Sequence, residues 1–309
     1  MPTLLFKSTF DDPKAWLERL REFVPDLELR VWPDIGNVEE IDYALAWKPE
    51  PGDLARYPNL KVILSLAAGV DHIFADPDLP DVPVCRIVDR DLIAQLSEYI
   101  LYFTLRYHRK MPLYEATARE HRWAKHGRCE AALRTVGVLG IGEIGGDAAA
   151  KIAALGFPVL GWSRSPKSIP GVESLCAEDG LRRIVAESAI LVCALPLTPQ
   201  TENFFDAKIL ADMAEGSYLI NVGRGRQVVD ADLIAALDSG HIAGAALDVF
   251  HDEPLPAGHP YWAHPKVEVT PHIAGDPNPR TAAAQVAENI IRARDGRDLL
   301  NIVDPETGY

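Results

Sequence analysis

Three segments of the chain each place a polar side chain after an apolar run. Arg224 lies in "LINVGRGRQVVD", Glu253 in "LDVFHDEPLP" and His272 in "VTPHIAG". An arginine offers five donors that suit a carboxylate or a carbonyl oxygen. A histidine carries protons near neutral pH, and an adjacent carboxylate orients its ring. Together these residues predict the polarisation and protonation of a carbonyl group.

Each of these side chains also has a structural interpretation. The arginine of a Gly-Arg-Gly loop is often solvated, a Glu before Pro254 can initiate a turn, and a single His after a Pro is often structural. Their common position favours chemistry, because ligands of open α/β sheets bind outside the carboxyl ends of the strands.

A glycine-rich segment upstream predicts the second reactant. "TVGVLGIGEIGGDAAAKIAALG" holds Gly140, Gly142 and Gly145 in the Gly-x-Gly-x-x-Gly spacing, between an apolar strand pattern and an alanine-rich helical pattern. Such a turn bends tightly, lets the backbone approach a pyrophosphate and packs helix closely on strand. The helix N-terminus then provides N–H groups for the phosphates. An ordinary βα turn is the alternative.

The next strand ends in "GWSRSPK", where dinucleotide-binding chains usually carry an acid for the adenosine ribose. Ser163, Arg164, Ser165 and Lys167 occupy this position, and residues 148–172 contain no Asp or Glu. A carboxylate would repel a 2′-phosphate, whereas an arginine forms paired hydrogen bonds with it. The stretch therefore predicts NADPH (NADP) in preference to NADH, with a solvated basic loop as the alternative.

The elements that must position these residues alternate between strand and helix. Short apolar runs predict five strands before residue 90 and six after it, from "TLLFKS" to "VEVTPHI". Helical spacing predicts helices over "DLIAQLSEYILYFTLRYHRK", over "ADLIAALDSG" with Asp230 as N-cap and Gly240 just past the end, and over "RTAAAQVAENIIRARDG". Continuous apolar strands between helices predict an α/β fold with doubly wound parallel sheets.

Length and composition exclude several classes of protein. A chain of 309 residues with 48% hydrophobic and 25% charged residues can form two globular domains. The net charge of −14 argues against nucleic-acid binding, which needs a basic surface. The four cysteines form no Cys-x-x-Cys pair, so we expect no metal site. We see no secretory leader and no apolar run long enough for a membrane span, and expect a cytoplasmic protein without a membrane partner.

The motifs together resemble those of a known family. "VGVLGIGEIGG", "NVGRG", "ALDVFHDEPLP" and "TPHIAG" occur in the order typical of D-2-hydroxyacid dehydrogenases, and the resemblance covers essentially the whole chain. Within that family the chain is most similar to the glyoxylate/hydroxypyruvate reductase A group, on "YALAWKP", "SLAAGVDHI", "YHRKMPLYE" and "GWSRSPKS". The resemblance implies a flavodoxin-like substrate domain (1–97 and 279–309), a Rossmann cofactor domain (98–278), a cleft between them and a homodimer.

The same resemblance implies roles for particular residues. Arg224, Glu253 and His272 would be catalytic, and Arg224 would also contact the substrate. Backbone amides near Gly69 and Val70 would hold the substrate carboxylate, while Trp47 would line the pocket. Further cofactor contacts would come from Glu143, Ile144, Leu195, Pro196, Thr201, Val222, Gly223 and Asp248, the last of which would face the nicotinamide amide.

The predicted reaction is the NADPH-dependent reduction of small 2-oxo acids, glyoxylate to glycolate and hydroxypyruvate to D-glycerate. Arg224 would polarise the carbonyl and His272 would protonate the developing alkoxide. A reductase of bulkier, phenylpyruvate-like 2-oxo acids is the alternative, because Trp47 and the following Lys48 do not define a pocket volume. A dinucleotide-sensing, corepressor-like regulator is a further alternative. Residues 107–123 are either a partner arm or a solvated helix.

Overall fold

The computed structural model describes residues 1–305 and 307–308. The chain divides into two compact units, one of Met1–Leu92 with Asp276–Tyr309 and the other of Ile93–Gly275. The division into domains that the sequence predicts, after residues 97 and 278, stays a prediction.

The first unit contains a five-stranded sheet in the order β2-β1-β3-β4-β5, with every pair parallel. This is the strand order of flavodoxin-like sheets. The central strands are buried at every position, as parallel strands covered on both faces are. The strands are β1 (Thr3–Lys7), β2 (Glu28–Val31), β3 (Tyr43–Ala46), β4 (Val62–Ser65) and β5 (Val84–Cys85).

Three helices complete the first unit: α1 (Pro13–Phe23), α2 (Asp71–Phe74) and the C-terminal α9 (Pro279–Asp295). The side chain of Asn278 accepts a hydrogen bond at the N-terminus of α9, and Gly296 ends this helix in the left-handed conformation. Because α9 packs against α1, the end of the chain belongs to the same unit as its beginning.

The second unit contains a seven-stranded parallel sheet in the order β12-β11-β10-β9-β6-β7-β8. Numbered from β6, its first six strands follow the Rossmann order 3-2-1-4-5-6. Both sheets confirm the predicted α/β, doubly wound fold. The strands are β6 (Val136–Leu139), β7 (Val159–Trp162), β8 (Val172–Leu175), β9 (Ile190–Cys193), β10 (Ser217–Asn221), β11 (Ile242–Leu247) and β12 (Val267–Val269).

Six helices lie between the first sheet and α9 along the chain: α3 (Arg90–His108), α4 (Met111–Arg119), α5 (Glu143–Ala154), α6 (Ala177–Glu187), α7 (Ala207–Asp212) and α8 (Asp230–Ser239). The predicted end of α8 is confirmed, since Gly240 has a φ of +85°. The predicted N-cap is wrong. Val229 caps the helix, and Asp230 is its first residue, because the Asp230 carboxylate is engaged by the hydroxyl of Tyr261 and the ring of His259.

The strand β8 is absent from the predicted strands. It lies at the edge of the second sheet and has no fully buried position, so its sequence "VESL" shows no continuous apolar run. Along the described residues, no helix is long and apolar enough to cross a membrane. In the same part of the chain, no group of three or more His, Cys, Asp or Glu side chains is arranged to hold a metal ion.

Candidate active site

The glycine turn between β6 and α5 has the geometry of a dinucleotide-binding turn. Gly140 has a φ of +91°, and a Cβ on it would lie 2.6 Å from the carbonyl oxygen of Ala194. A Cβ on Gly145 would lie 2.0 Å from the Gly140 oxygen, so the first turn of α5 packs directly on the bend. A Cβ on Gly142, by contrast, would meet nothing within 4 Å. The turn therefore leaves an open backbone face at the N-terminus of α5, where a pyrophosphate fits.

The predicted 2′-phosphate site follows β7, beside the glycine turn. The N–H of Ser163 donates to the carbonyl of Leu175 at 3.2 Å, and the N–H of Lys167 donates to the hydroxyl of Ser174 at 2.9 Å. These bonds tie the loop to β8 and leave Arg164 exposed at the surface. The residues present thus fit a phosphate at the end of β7.

The acid that follows this loop is engaged elsewhere. Glu173, on β8, accepts hydrogen bonds from the guanidinium of Arg183 on α6, at 2.5 and 3.2 Å. Because this carboxylate is paired with Arg183, we do not expect Glu173 to serve as the acid that binds the adenosine ribose.

The predicted cofactor loop after β9 is a compact turn. The hydroxyl of Thr201 donates to the carbonyl of Pro196 at 2.7 Å and accepts from the N–H of Thr198 at 2.8 Å. The hydroxyl thereby closes the loop at the end of β9, next to β6 in the sheet. Leu195 and Pro196 thus lie at the topological switch point, where ligands of doubly wound sheets bind.

Arg224 lies in a tightly packed loop after β10. The side chain of Asn221 accepts from the Gly223 N–H at 3.0 Å and donates to the Arg224 carbonyl at 3.1 Å. A Cβ on Gly225 would lie 1.9 Å from the carbonyl carbon of Phe250, so the Arg224 loop contacts the loop that carries Glu253. The guanidinium of Arg224 is half-buried and donates to the Gly223 carbonyl at 2.9 Å.

His272 and Glu253 form a hydrogen-bonded pair. Nδ1 of His272 lies 3.0 Å from Oε2 of Glu253, and Oε1 of Glu253 accepts from the Phe250 N–H at 3.1 Å. The side chains are 28% and 19% exposed, so the pair is reachable from solvent. A ring whose Nδ1 proton is held by a carboxylate exchanges protons with a reactant through Nε2. The pair has the chemistry of a general acid with an orienting carboxylate.

Asp248 anchors the loop on which His272 lies. Its buried carboxylate accepts from the hydroxyl of Thr270 at 2.6 Å, from the Ile273 N–H at 2.9 Å and from the Ala274 N–H at 2.8 Å. His272 has a φ of +55°, and its N–H donates to the Asp248 carbonyl at 2.8 Å. These bonds hold a left-handed conformation that is unfavourable for a residue other than glycine. The predicted contact of Asp248 with the nicotinamide stays a prediction.

The structure thus brings the three predicted catalytic residues to one edge of one sheet. Arg224 follows β10, Glu253 follows β11 and His272 follows β12, and these strands are neighbours. Because the strands are parallel, their carboxyl ends share this edge with the glycine turn after β6.

Comparison with known proteins identifies the family. Residues 101–274, more than half of the chain, match the D-isomer specific 2-hydroxyacid dehydrogenase, NAD binding domain. The chain belongs to the D-isomer specific 2-hydroxyacid dehydrogenase family. It is therefore an NAD(P)-dependent oxidoreductase, and the family predicted from the motifs is confirmed.

Relatives in the dehydrogenase family match over the full length. Glyoxylate/hydroxypyruvate reductase A of Serratia proteamaculans is 37% identical over 99% of each chain. A D-isomer specific 2-hydroxyacid dehydrogenase from Xanthobacter autotrophicus Py2, solved in complex with NADPH and MES, is 46% identical over 100% of this chain and 99% of that chain, with a TM-score of 0.95. An NADPH-dependent glyoxylate/hydroxypyruvate reductase from Sinorhizobium meliloti, solved with NADP and sulfate, is 39% identical over 100% of both chains, with a TM-score of 0.93.

The substrate residues implied by the family resemblance lie at carboxyl ends of strands in the first unit. Trp47 follows β3, and its ring packs edge-on against His72 with the centroids 4.4 Å apart. Gly69 follows β4 and accepts from the hydroxyl of Ser65 at 3.3 Å, while Val70 precedes α2. Their roles stay predictions for this member of the dehydrogenase family.

A hydrogen-bond network that supports the candidate site was not predicted from the sequence. The carboxylate of Asp230 accepts from the Tyr261 hydroxyl at 2.9 Å and lies 3.2 Å from Nε2 of His259, while Nε2 of His251 lies 2.7 Å from the Val228 carbonyl. These bonds fasten both ends of the loop that carries Glu253. The Asp230 partners are 31 and 29 residues away along the chain, so no local pattern signals the network.

Proposed function

We propose that the protein is an NADPH-dependent reductase of small 2-oxo acids that converts glyoxylate to glycolate and hydroxypyruvate to D-glycerate. The observation that carries the proposal is the pair of His272 and Glu253, 3.0 Å apart on the sheet edge that also holds the open glycine turn. Carbonyl reduction needs a hydride donor and a proton donor. At this edge the glycine turn can bind the dinucleotide that donates the hydride, and His272 can donate the proton.

Each residue has a defined task in the proposed reaction. NADPH, when bound, supplies the hydride. Arg224 donates hydrogen bonds to the carbonyl oxygen and stabilises its growing negative charge. His272 gives its proton to that oxygen, and Glu253 holds the ring in place. The substrate carboxylate is assigned to backbone amides near Gly69 and Val70.

The choice of NADPH over NADH rests on the end of β7. Arg164, with Ser163, Ser165 and Lys167 beside it, offers positive charge and donors where a ribose-binding acid would otherwise lie. The relatives from Xanthobacter autotrophicus Py2 and Sinorhizobium meliloti were solved with NADPH and NADP, respectively, which supports the same choice. The name of the Serratia relative supports the choice of glyoxylate and hydroxypyruvate as substrates.

A homodimer is part of the proposal. Segment 107–123 and the preceding end of α3 expose a set of large apolar side chains, which favours the partner arm over the solvated helix. Trp123 is 97% exposed, and the other members are Tyr102, Leu105, Met111 and Leu113. Sedimentation of the purified protein tests this part, since a monomer at micromolar concentration contradicts it.

Steady-state reduction of glyoxylate and hydroxypyruvate, with NADPH and NADH compared side by side, tests the proposal. Turnover of either acid with a strong preference for NADPH supports both the reaction and the assignment of Arg164. Turnover with NADH preferred contradicts the assignment of the β7 loop and leaves the reaction in place. Turnover of phenylpyruvate-like acids alone indicates the bulkier substrate class, and dinucleotide binding without turnover of any 2-oxo acid indicates a regulator.

A further inference from the structure

The side chain of Gln227 joins two segments of the candidate site and is fully buried. Its Nε2 donates to the carbonyl oxygens of Leu195 at 3.0 Å and Pro196 at 3.2 Å. Its Oε1 accepts from the N–H of Arg224 at 2.8 Å and from the thiol of Cys193 at 3.4 Å. Two donors and two acceptor positions are all that a primary amide has, so this one is satisfied completely.

The four partners allow only an amide at this position. Two carbonyl oxygens face one end of the group and require the NH₂, while two donors face the other end and require the oxygen. A carboxylate would point an oxygen at the two carbonyls, and an apolar side chain would leave buried polar atoms without hydrogen bonds.

The backbone makes the same connection. The carbonyl of Gln227 accepts from the Phe205 N–H at 2.8 Å, so the segment after Arg224 is bonded to the end of the cofactor loop. A Cβ on Gly223 would lie 2.3 Å from Oε1 of Gln227 and 2.8 Å from the Leu195 carbonyl, which leaves no space for the two loops to slide past each other. The two loops therefore form one rigid element.

We propose that Gln227 is a positioning residue that couples dinucleotide binding at Leu195 and Pro196 to the placement of Arg224. The inference rests on the proposed function, in which the first loop borders the cofactor and Arg224 contacts the substrate carbonyl. A dinucleotide that orders the 195–196 backbone also orders the Arg224 backbone, because both are bonded to the same amide. Conversely, loss of the amide frees the Arg224 loop even when the cofactor is bound.

The test compares Gln227→Met, which keeps the size of the side chain, and Gln227→Glu, which reverses the polarity of one end. NADPH affinity is measured by fluorescence titration, which needs no turnover, and kcat and KM are measured with glyoxylate. Asn289→Leu is the matched control, because Asn289 is also a buried amide that bonds backbone groups, at Leu300 in the first unit. Thermal unfolding checks that each variant is folded.

We expect both Gln227 variants to bind NADPH several-fold more weakly and to lose roughly tenfold or more in kcat/KM, while Asn289→Leu loses stability alone. In an Arg224→Ala background, we expect Gln227→Met to change kcat/KM by less than about twofold, since residues that act through one another are not additive. Equal losses in both backgrounds, or unchanged NADPH affinity, would overturn the coupling. Absence of turnover in the wild type refutes the proposed function instead, and the NADPH titration still tests whether Gln227 supports the cofactor loop.

Discussion

Nδ1 of His272 and Oε2 of Glu253 are 3.0 Å apart, and the second oxygen of Glu253 is itself held by the Phe250 N–H at 3.1 Å. One oxygen of the carboxylate is therefore held by the backbone while the other orients the imidazole. Asp248 constrains the same ring from the backbone side, through the hydrogen bond from the His272 N–H. Because the His272 ring is already oriented, little conformational entropy is lost when a substrate binds.

Replacement of His272, the proposed proton donor, tests this arrangement. We expect His272→Asn to lower kcat for glyoxylate by roughly 10²-fold or more, because the amide cannot transfer a proton. NADPH affinity should stay close to that of the wild type. His264→Asn is the control, since His264 pairs with Asp238 at 3.3 Å and has no part in the site. Near-normal turnover in His272→Asn removes this residue from the mechanism.

The basic loop after β7 predicts a selective effect on one cofactor. We expect Arg164→Ala to raise KM for NADPH roughly 10- to 100-fold, because a charge-assisted pair of hydrogen bonds to the 2′-phosphate is lost. KM for NADH should change by less than about twofold, since NADH lacks that phosphate. Arg182→Ala, at an exposed arginine of α6 that pairs with Glu178, is the control. Equal losses with both cofactors mean that Arg164 is structural.

The hydrogen bonds of Asp248 predict that the protein loses more stability when more of these bonds are removed. Asp248→Ala removes the acceptor of three hydrogen bonds and leaves the buried N–H of Ala274 without a partner, so we expect the free energy of unfolding to fall by about 3 kcal/mol. Thr270→Val removes one of the three together with the hydrogen bond between the Thr270 and Tyr99 hydroxyls at 2.7 Å, so it should cost about 2 kcal/mol. Urea unfolding measures both values. A smaller loss in Asp248→Ala than in Thr270→Val would contradict the anchoring role.

The buried thiols predict a pattern of chemical modification. Burial raises the pKa of Cys85 to about 12 and the pKa of Cys193 to about 12. A thiol reacts as its thiolate, which forms only as the pH rises toward the pKa, so both groups stay protonated at about pH 8. We expect a thiol reagent to modify at most the two partly exposed cysteines, Cys129 and Cys176, in the native protein.

Unfolding provides the control for that experiment. In denaturant all four cysteines should react, because Cys85 and Cys193 are then exposed and burial no longer raises their pKa. A double variant, Cys129→Ser with Cys176→Ser, should be nearly inert until it unfolds. Rapid modification of that variant in the native state would contradict the burial of Cys85 and Cys193.

Local sequence was sufficient for most of the fold and for the residue types that the candidate site contains. Strands buried on both faces must be apolar along their length, and β6 and β9 were therefore predictable from their apolar runs alone. The glycine turn was predictable because backbone conformation and close packing at Gly140 and Gly145 exclude any side chain. The edge strand β8 was missed, since a strand that buries little needs no apolar pattern.

Tertiary structure decided how the site is held together. Asp is a residue type favoured at helix N-caps, yet the carboxylate of Asp230 accepts a hydrogen bond from Tyr261, 31 residues away. Asp248 anchors a loop 22 to 26 residues further on, and Gln227 reaches back 31 to 34 residues. The sequence by itself determined which donors and acceptors each side chain offers. Which bonds form depends on which distant backbone groups the packed strands bring within about 3 Å, and only the fold decides that.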